Sequence, residues 1–192
     1  VAFGCSGVSD SYPYIDVDGA AGLRRVVKHL VEQGHQRIAI ILPPRELAFA
    51  ARRFEGYLEG LRQAGLEAEE SLRVEGNLTP ESGYAAALRL LDQARPPTAI
   101  AACNDLMAIG AMQALQTQGL EPGRDMAVTG FDDIPQAART TPPLTTVRQP
   151  IYQIGRQALE MLIQTLRHEP LDELHVLIEP ELIVRESSVR RR

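Results

Sequence analysis

The 192 residues carry 20 basic and 25 acidic side chains, a formal net charge of −5, and 44% hydrophobic residues. That balance supplies a sizeable core, as one domain or as one lobe plus part of another, and it excludes a free-standing DNA-binding module, whose phosphate contacts need a basic stripe. The one basic cluster, Arg190-Arg191-Arg192, reads as a solvated terminus, and no run approaches the roughly 18 apolar residues of a membrane span.

The chain opens without a methionine on Val1-Ala2-Phe3-Gly4, which reads as part of a buried strand, so the sequence reads as a fragment. Ala20 to Gln33 places Leu23, Val26, Val27, Leu30 and Val31 at helical spacing, with Gly34 at the expected carboxyl cap. The strand Ile38-Ala39-Ile40-Ile41-Leu42 follows and stops at Pro43-Pro44. Helix-forming sequence runs from Ala50 to Ala64 and closes on Gly65. A weaker strand, Leu72 to Val74, precedes a helix in which Thr79 can cap, Pro80 takes the first position, and Tyr84, Ala87, Leu88 and Leu91 form the expected buried stripe. Next come a strand from Thr98 to Ala102, a helix from about Asn104 to Gln118, and a strand from Met126 to Gly130. The last helix spans Ile151 to Arg167 with Ile151, Ile154, Ala158, Leu162 and Leu166 on one face. Val176 to Ile178 and Leu182 to Val184 are closing strands on either side of Pro180.

Strands alternating with helices of this length predict an α/β fold: a mainly parallel sheet, helices on both faces, three αβα layers. The continuous apolar strands agree with burial on both sides. Ligands of open α/β sheets bind beyond the carboxyl ends of the strands. Four segments lie there: Pro43 to Phe49, Gly76 to Leu78, Cys103 to Asp105, and Phe131 to Ile134. Leu144 to Pro150 is too extended for a helical crossover and reads as a link to a second lobe.

Several motifs occur in a fixed order: Gly34-His35-Gln36-Arg37-Ile38, Arg53-Phe54-Glu55-Gly56-Tyr57, Pro80-Glu81-Ser82-Gly83-Tyr84 and Asn104-Asp105-Leu106-Met107. Gly130-Phe131-Asp132-Asp133, Pro142-Pro143-Leu144-Thr145-Thr146-Val147-Arg148-Gln149-Pro150 and Pro180-Glu181-Leu182-Ile183-Val184-Arg185-Glu186-Ser187-Ser188 complete them. This set resembles the effector domain of the LacI/GalR family of bacterial transcription regulators. The resemblance implies a periplasmic-binding-protein-like type I lobe with part of a second, joined by three crossings, near Asp16 to Ala20, Leu144 to Pro150 and Leu171 to His175. It groups 1–19 with 147–170 as a remnant of the amino-terminal lobe, and 20–146 with 171–192 as the carboxyl-terminal lobe. Most of the first lobe, and any helix-turn-helix before it, would lie upstream.

The resemblance also points to effector-binding residues. Arg53 offers a planar fork of donors for hydroxyls or a carboxylate, against the ordinary reading of a solvated arginine. Asp132 either accepts ligand hydroxyls, as the family position implies, or bonds its own turn, which is the reading favoured for Asp133. Adjacent acids on a turn do not face each other across a substrate, so a hydrolytic pair is not expected. Asn104 is a helix cap, a ligand contact, or both. Asp18 matches an acid near the first crossing, and Gln149 is a weaker candidate at the second. Phe49 walls the ligand or joins the core. Leu78 replaces the aromatic side chain frequent at its position and offers apolar contact without a π-face.

Cys5 and Cys103 read as reduced thiols of a cytoplasmic protein. His29, His35, His168 and His175 show no metal spacing, no phosphate loop or Ser-His-Asp arrangement stands out, and no cofactor is expected. The leading expectation is a non-enzymatic sensor: the effector-binding part of a LacI/GalR-type regulator. It binds a sugar or related polar metabolite, forms a homodimer, and meets operator DNA only through a missing helix-turn-helix. A periplasmic sugar-binding protein of a transporter is the alternative, and a sugar-active enzyme lacks a catalytic constellation.

Overall fold

The computed structural model describes residues 1–4 and 12–189; Cys5 and the Arg190-Arg191-Arg192 tail lie outside them. β1 (Ala2–Phe3) runs parallel to β2 (Tyr14–Val17). α1 (Gly19–Glu32) follows at once, because the Asp18 carboxylate accepts a 2.9 Å hydrogen bond from Ala21 N and caps it. Leu23, Val26, Val27 and Leu30 form its buried stripe, each contributing about 2 kcal/mol through burial.

Next come β3 (Ile38–Leu42), α2 (Ala48–Gln63), β4 (Arg73–Glu75), α3 (Pro80–Leu91), β5 (Ala99–Ala102), α4 (Asp105–Thr117) and β6 (Ala127–Asp132). β7 (Thr145–Arg148), α5 (Ile151–Leu166), β8 (His175–Ile178) and β9 (Glu181–Ile183) complete the order. Six strands form one sheet in the order β4-β3-β5-β6-β7-β9, parallel except for β9 against β7. Three parallel strands form the other, β1-β2-β8. α1 packs on α2 and α3 on α4, and these pairs cover the larger sheet. Its central strands β3 and β5 are buried along their whole length, as continuous apolar runs require. Among the described residues, no helix is long and apolar enough to cross a membrane.

The sheets correct four expectations. Thr145 to Arg148 is not a bare crossing but the strand β7, paired to both β6 and β9, so a boundary at 147 cuts a strand. β8 belongs with β2 in the small sheet, not with 171–192 as one unit; the chain passes between sheets at Glu179-Pro180 rather than at 171–175. Gly83 seats α3 on Met107 of α4, and this turns Gly83, Ala86, Ala87 and Leu90 inward while Tyr84, Leu88 and Leu91 stay half-buried. β1 is an edge strand with Phe3 exposed, not a buried one.

α5 departs furthest from its pattern. Of its expected face only Ile154 is buried and Ala158 half-buried; Ile151, Leu162 and Leu166 are exposed, and so are Tyr152, Leu159 and Ile163. The helix packs mainly against β2, which is too small a surface to cover an apolar face of that width.

Candidate functional site

At the carboxyl ends of the larger sheet, Arg53 from the second turn of α2 lies almost wholly buried. Its guanidinium is held between two rings, 4.4 Å from the Phe49 centroid and 3.7 Å from that of Phe131. Nη1 donates to the Cys103 carbonyl at the end of β5. Nη2 stands 3.7 Å from Asp132 Oδ1, and Nε makes no hydrogen bond. The aliphatic part of the side chain lies under Gly19, so the start of α1 meets the same place.

Asp132 ends β6 with φ 126°, and Asp133 follows at φ 57°. The pair therefore points its carboxylates apart. Asp132 accepts a 2.6 Å hydrogen bond from Gln149 Nε2. Asp133 accepts from Arg148 Nε at 2.7 Å and from Arg185 Nη2 at 2.6 Å. The expected backbone-bonding turn role of Asp133 is thus replaced by an ion pair that locks the turn to β7 and to the segment after β9.

Burial sets the electrostatics. It lowers the proton affinity of Arg53, while Asp132, Cys103, Asp16 and Asp105 act in the opposite direction. Burial likewise raises the Asp132 carboxyl, against Arg53 and the Gln149 bond. Burial would raise Asp133 too, but the hydrogen bonds from Arg185 and Arg148 hold it below the ordinary carboxylate range. The Cys103 thiol is pushed up to about 12 by burial and stays protonated.

Asn104 caps α4 by accepting from Met107 N at 2.9 Å, and its Nδ2 donates to the Leu78 carbonyl at 3.0 Å. Leu78, at φ 70°, reaches the group through that bond. Arg53, Phe49, Asp132 and Gln149 are thus brought into direct contact, Asn104 and Leu78 form an adjoining pair, and Asp18 caps α1 beside Gly19. Phe131, the Cys103 carbonyl and Asp105 were reached from the sequence only as parts of the segments Phe131 to Ile134 and Cys103 to Asp105, not as individual site residues, and Asp16 only as the edge of the first crossing. The signal for the first three was position beyond an expected strand end, which for Asp105 was joined by its place next to the cap Asn104. Among the histidines, His29 meets Ser188 Oγ at 2.8 Å and His175 stacks on Tyr14 at 4.5 Å.

Segments from the ends of three strands, β3, β5 and β6, and the crossing into α1 meet on a single buried arginine, with the loop after β4 joined next to them through Asn104, the arrangement of an open α/β sheet built around a crevice. The profile of the periplasmic binding protein-like domain family matches residues 27–188. The HTH-type transcriptional regulator CelR of Thermobifida fusca is 37% identical over 174 residues, which covers 91% of this chain and 51% of that protein. The HTH-type transcriptional repressor PurR of Haemophilus influenzae is 41% identical over 165 residues, covering 83% and 48%. A crystal structure of a regulatory protein of the LacI family from Chloroflexus aggregans superposes with a TM-score of 0.92 at 42% identity, over 97% of this chain and 67% of that one. The complex of the transcriptional regulator CelR with cellobiose superposes at 0.90 with 36% identity, over 96% and 57%. The chain belongs to the periplasmic binding protein-like domain family and, within it, to the LacI family. It spans about half the length of the curated relatives it matches.

Proposed function

We propose that this chain is the effector-sensing part of a transcription regulator and that its ligand is a small polar molecule of the sugar class. The observation that carries the reading is Arg53: a buried guanidinium with an idle Nε, flanked by aromatic rings and facing a half-buried carboxylate that Gln149 also holds. Sugar hydroxyls both donate and accept, so one ring can satisfy the arginine and the aspartate together. Asn104, Asp18, Phe49 and Leu78 form the remaining wall. A relative solved with cellobiose supports the sugar class, and a lac repressor dimer solved on operator supports a dimer whose DNA contacts come from other segments of the longer protein. On this reading the protein acts in the cytoplasm, catalyses nothing, and responds by shifting an equilibrium between two arrangements of its lobes.

The regulator reading is preferred to a transporter's binding protein because the relatives at these identities are transcription regulators. A thermal-shift titration with cellobiose and a panel of neutral mono- and disaccharides tests it, since a ligand that binds only the folded state raises the melting temperature. At least one sugar should do so, with the effect lost in Asp132→Ala. No shift with any sugar at millimolar concentration overturns the sugar class.

A further inference from the structure

Three of the four non-glycine residues with positive φ among the described residues lie at the site: Leu78 in the loop after β4, Asp132 at the end of β6 and Asp133 just after it. The loops after β4 and β6 are both tied to the first residues of α4. Asn104 reaches the Leu78 carbonyl on one side, and Asp105 reaches the other loop by accepting from Ile134 N at 2.8 Å. The second oxygen of Asp105 accepts from the Thr146 hydroxyl on β7 at 2.5 Å. The carboxylate is fully buried, and it lies flush on Gly130, where a Cβ would come within 2.2 Å of Oδ1.

An acid at a helix start ordinarily bonds the amides of its own first turn. Here Asn104 caps Met107 N, so both oxygens of Asp105 serve other elements. We propose that Asp105 is a positioning residue of the effector site: it holds the turn after β6 in the left-handed conformation that sets the Asp132 carboxylate beside Arg53. The proposal rests on the effector-site reading for its functional meaning, but its geometry needs no ligand.

The charged groups facing Asp105 are Asp132 and Asp133 on the turn and Arg53 on α2, while Arg148 and Arg185 are occupied by Asp133. Burial is the largest influence and pushes the carboxyl up to about 6, against the bonds from Thr146 and Ile134 and with a further push from Asp132 and Asp133. The group therefore titrates where its effect on the turn can be followed directly.

The test uses the intact chain and amide NMR from about pH 4.5 to about pH 7.5, for the wild type, Asp105→Ala, Asp105→Asn and Thr146→Val. In the wild type the Ile134 amide should be protected from exchange, with a shift that titrates at a midpoint of about 6. Asp105→Ala should speed Ile134 exchange by about tenfold or more, leave Ile100 and Val128 unchanged, and move the Asp132 resonances. Asp105→Asn should restore most of the protection and abolish the titration. Thr146→Val should move the midpoint without unfolding the sheet. In a parallel cellobiose titration, Asp105→Ala should weaken binding and Asp105→Asn should recover it. Unchanged Ile134 protection in Asp105→Ala overturns the proposal, and so does equal loss at Ile100 and Val128. If Asp105→Ala does not fold, an unmoved Ile134 midpoint in Thr146→Val overturns it. A wild type that binds no sugar of the panel counts against the sugar reading alone, because the amide measurements need no ligand.

Discussion

Arg53 and Asp132 face each other at 3.7 Å, too far for a direct hydrogen bond, while Gln149 holds the same aspartate oxygen at 2.6 Å. A pair at that spacing can be bridged by a ligand hydroxyl seated beside both, within hydrogen-bond distance of each. Arg53→Met keeps apolar bulk between Phe49 and Phe131 and removes the donors. Removing one member of a buried charge pair leaves the other uncompensated and costs about 3 to 5 kcal/mol where both are fully buried, and the partial exposure of Asp132 together with its bond from Gln149 softens that cost. Urea unfolding should therefore show a loss of about 1 to 3 kcal/mol with the protein still folded. Effector affinity should fall by about 2 to 4 kcal/mol in calorimetry. Unaltered affinity would remove Arg53 from the site.

Asp105 makes a signed prediction for stability against pH. Its folded pKa of about 6 lies above the unfolded value of 3.8, so the folded state holds more protons between the two. The stabilisation from this group is complete below about pH 4 and is lost as pH rises through about 6, by about 3 kcal/mol in total. Asp105→Asn should remove that slope. His29, lowered by burial, works in the opposite sense just below its ordinary pKa, so the difference between wild type and variant isolates Asp105. Parallel unfolding curves at pH 4.5 and 7.5 for the two proteins would sink the idea.

Two glycines should respond with opposite signs to alanine. At Gly110 a Cβ would lie 1.8 Å from the Pro80 carbonyl, so the α3–α4 contact must open, at a cost of about 1 to 3 kcal/mol. At Gly155, in the middle of α5, a Cβ meets nothing, and the better helix propensity of alanine should add about 0.5 to 1 kcal/mol. Thermal melts check both.

Within this chain the exposed face of α5 contributes less to folding than its hydrophobicity would suggest. Leu159→Lys and Leu166→Lys should shift stability by about 0.5 kcal/mol or less, whereas Ile154→Ala should cost about 2 to 4 kcal/mol. The same lysines should lower the binding of a hydrophobic dye, since contiguous apolar surface is what such dyes report. A large loss of stability from Leu166→Lys would show that the face is packed.

Much of the fold was readable along the chain because its signals are local. The run Ile38 to Leu42 announces a doubly covered strand, Thr79-Pro80 announces a helix start, and Gly34 and Gly65 adopt the positive φ that ends helices. The loops after the strands follow from a general rule of parallel sheets, and that rule reached Phe49, Leu78, Asn104 and Asp132, whereas Arg53 came from the resemblance to the LacI/GalR family. Sheet membership was not local. Nothing in Val176 to Ile178 says that its partner is Ile15 to Val17 rather than the neighbouring β9, and nothing in Thr145 to Arg148 separates a crossing from a strand between β6 and β9.

The one-dimensional string settled which segments become helices, which become buried strands, and which turns carry polar side chains, because those choices depend on neighbours within a few residues. Folding in three dimensions decided that Asp133 pairs with Arg148 and Arg185, that Asp105 serves the turn after β6, and that within this chain α5 buries only Ile154 and Met161. Each of these depends on groups distant in sequence meeting in space, and hydrophobic spacing carries no record of which partner arrives.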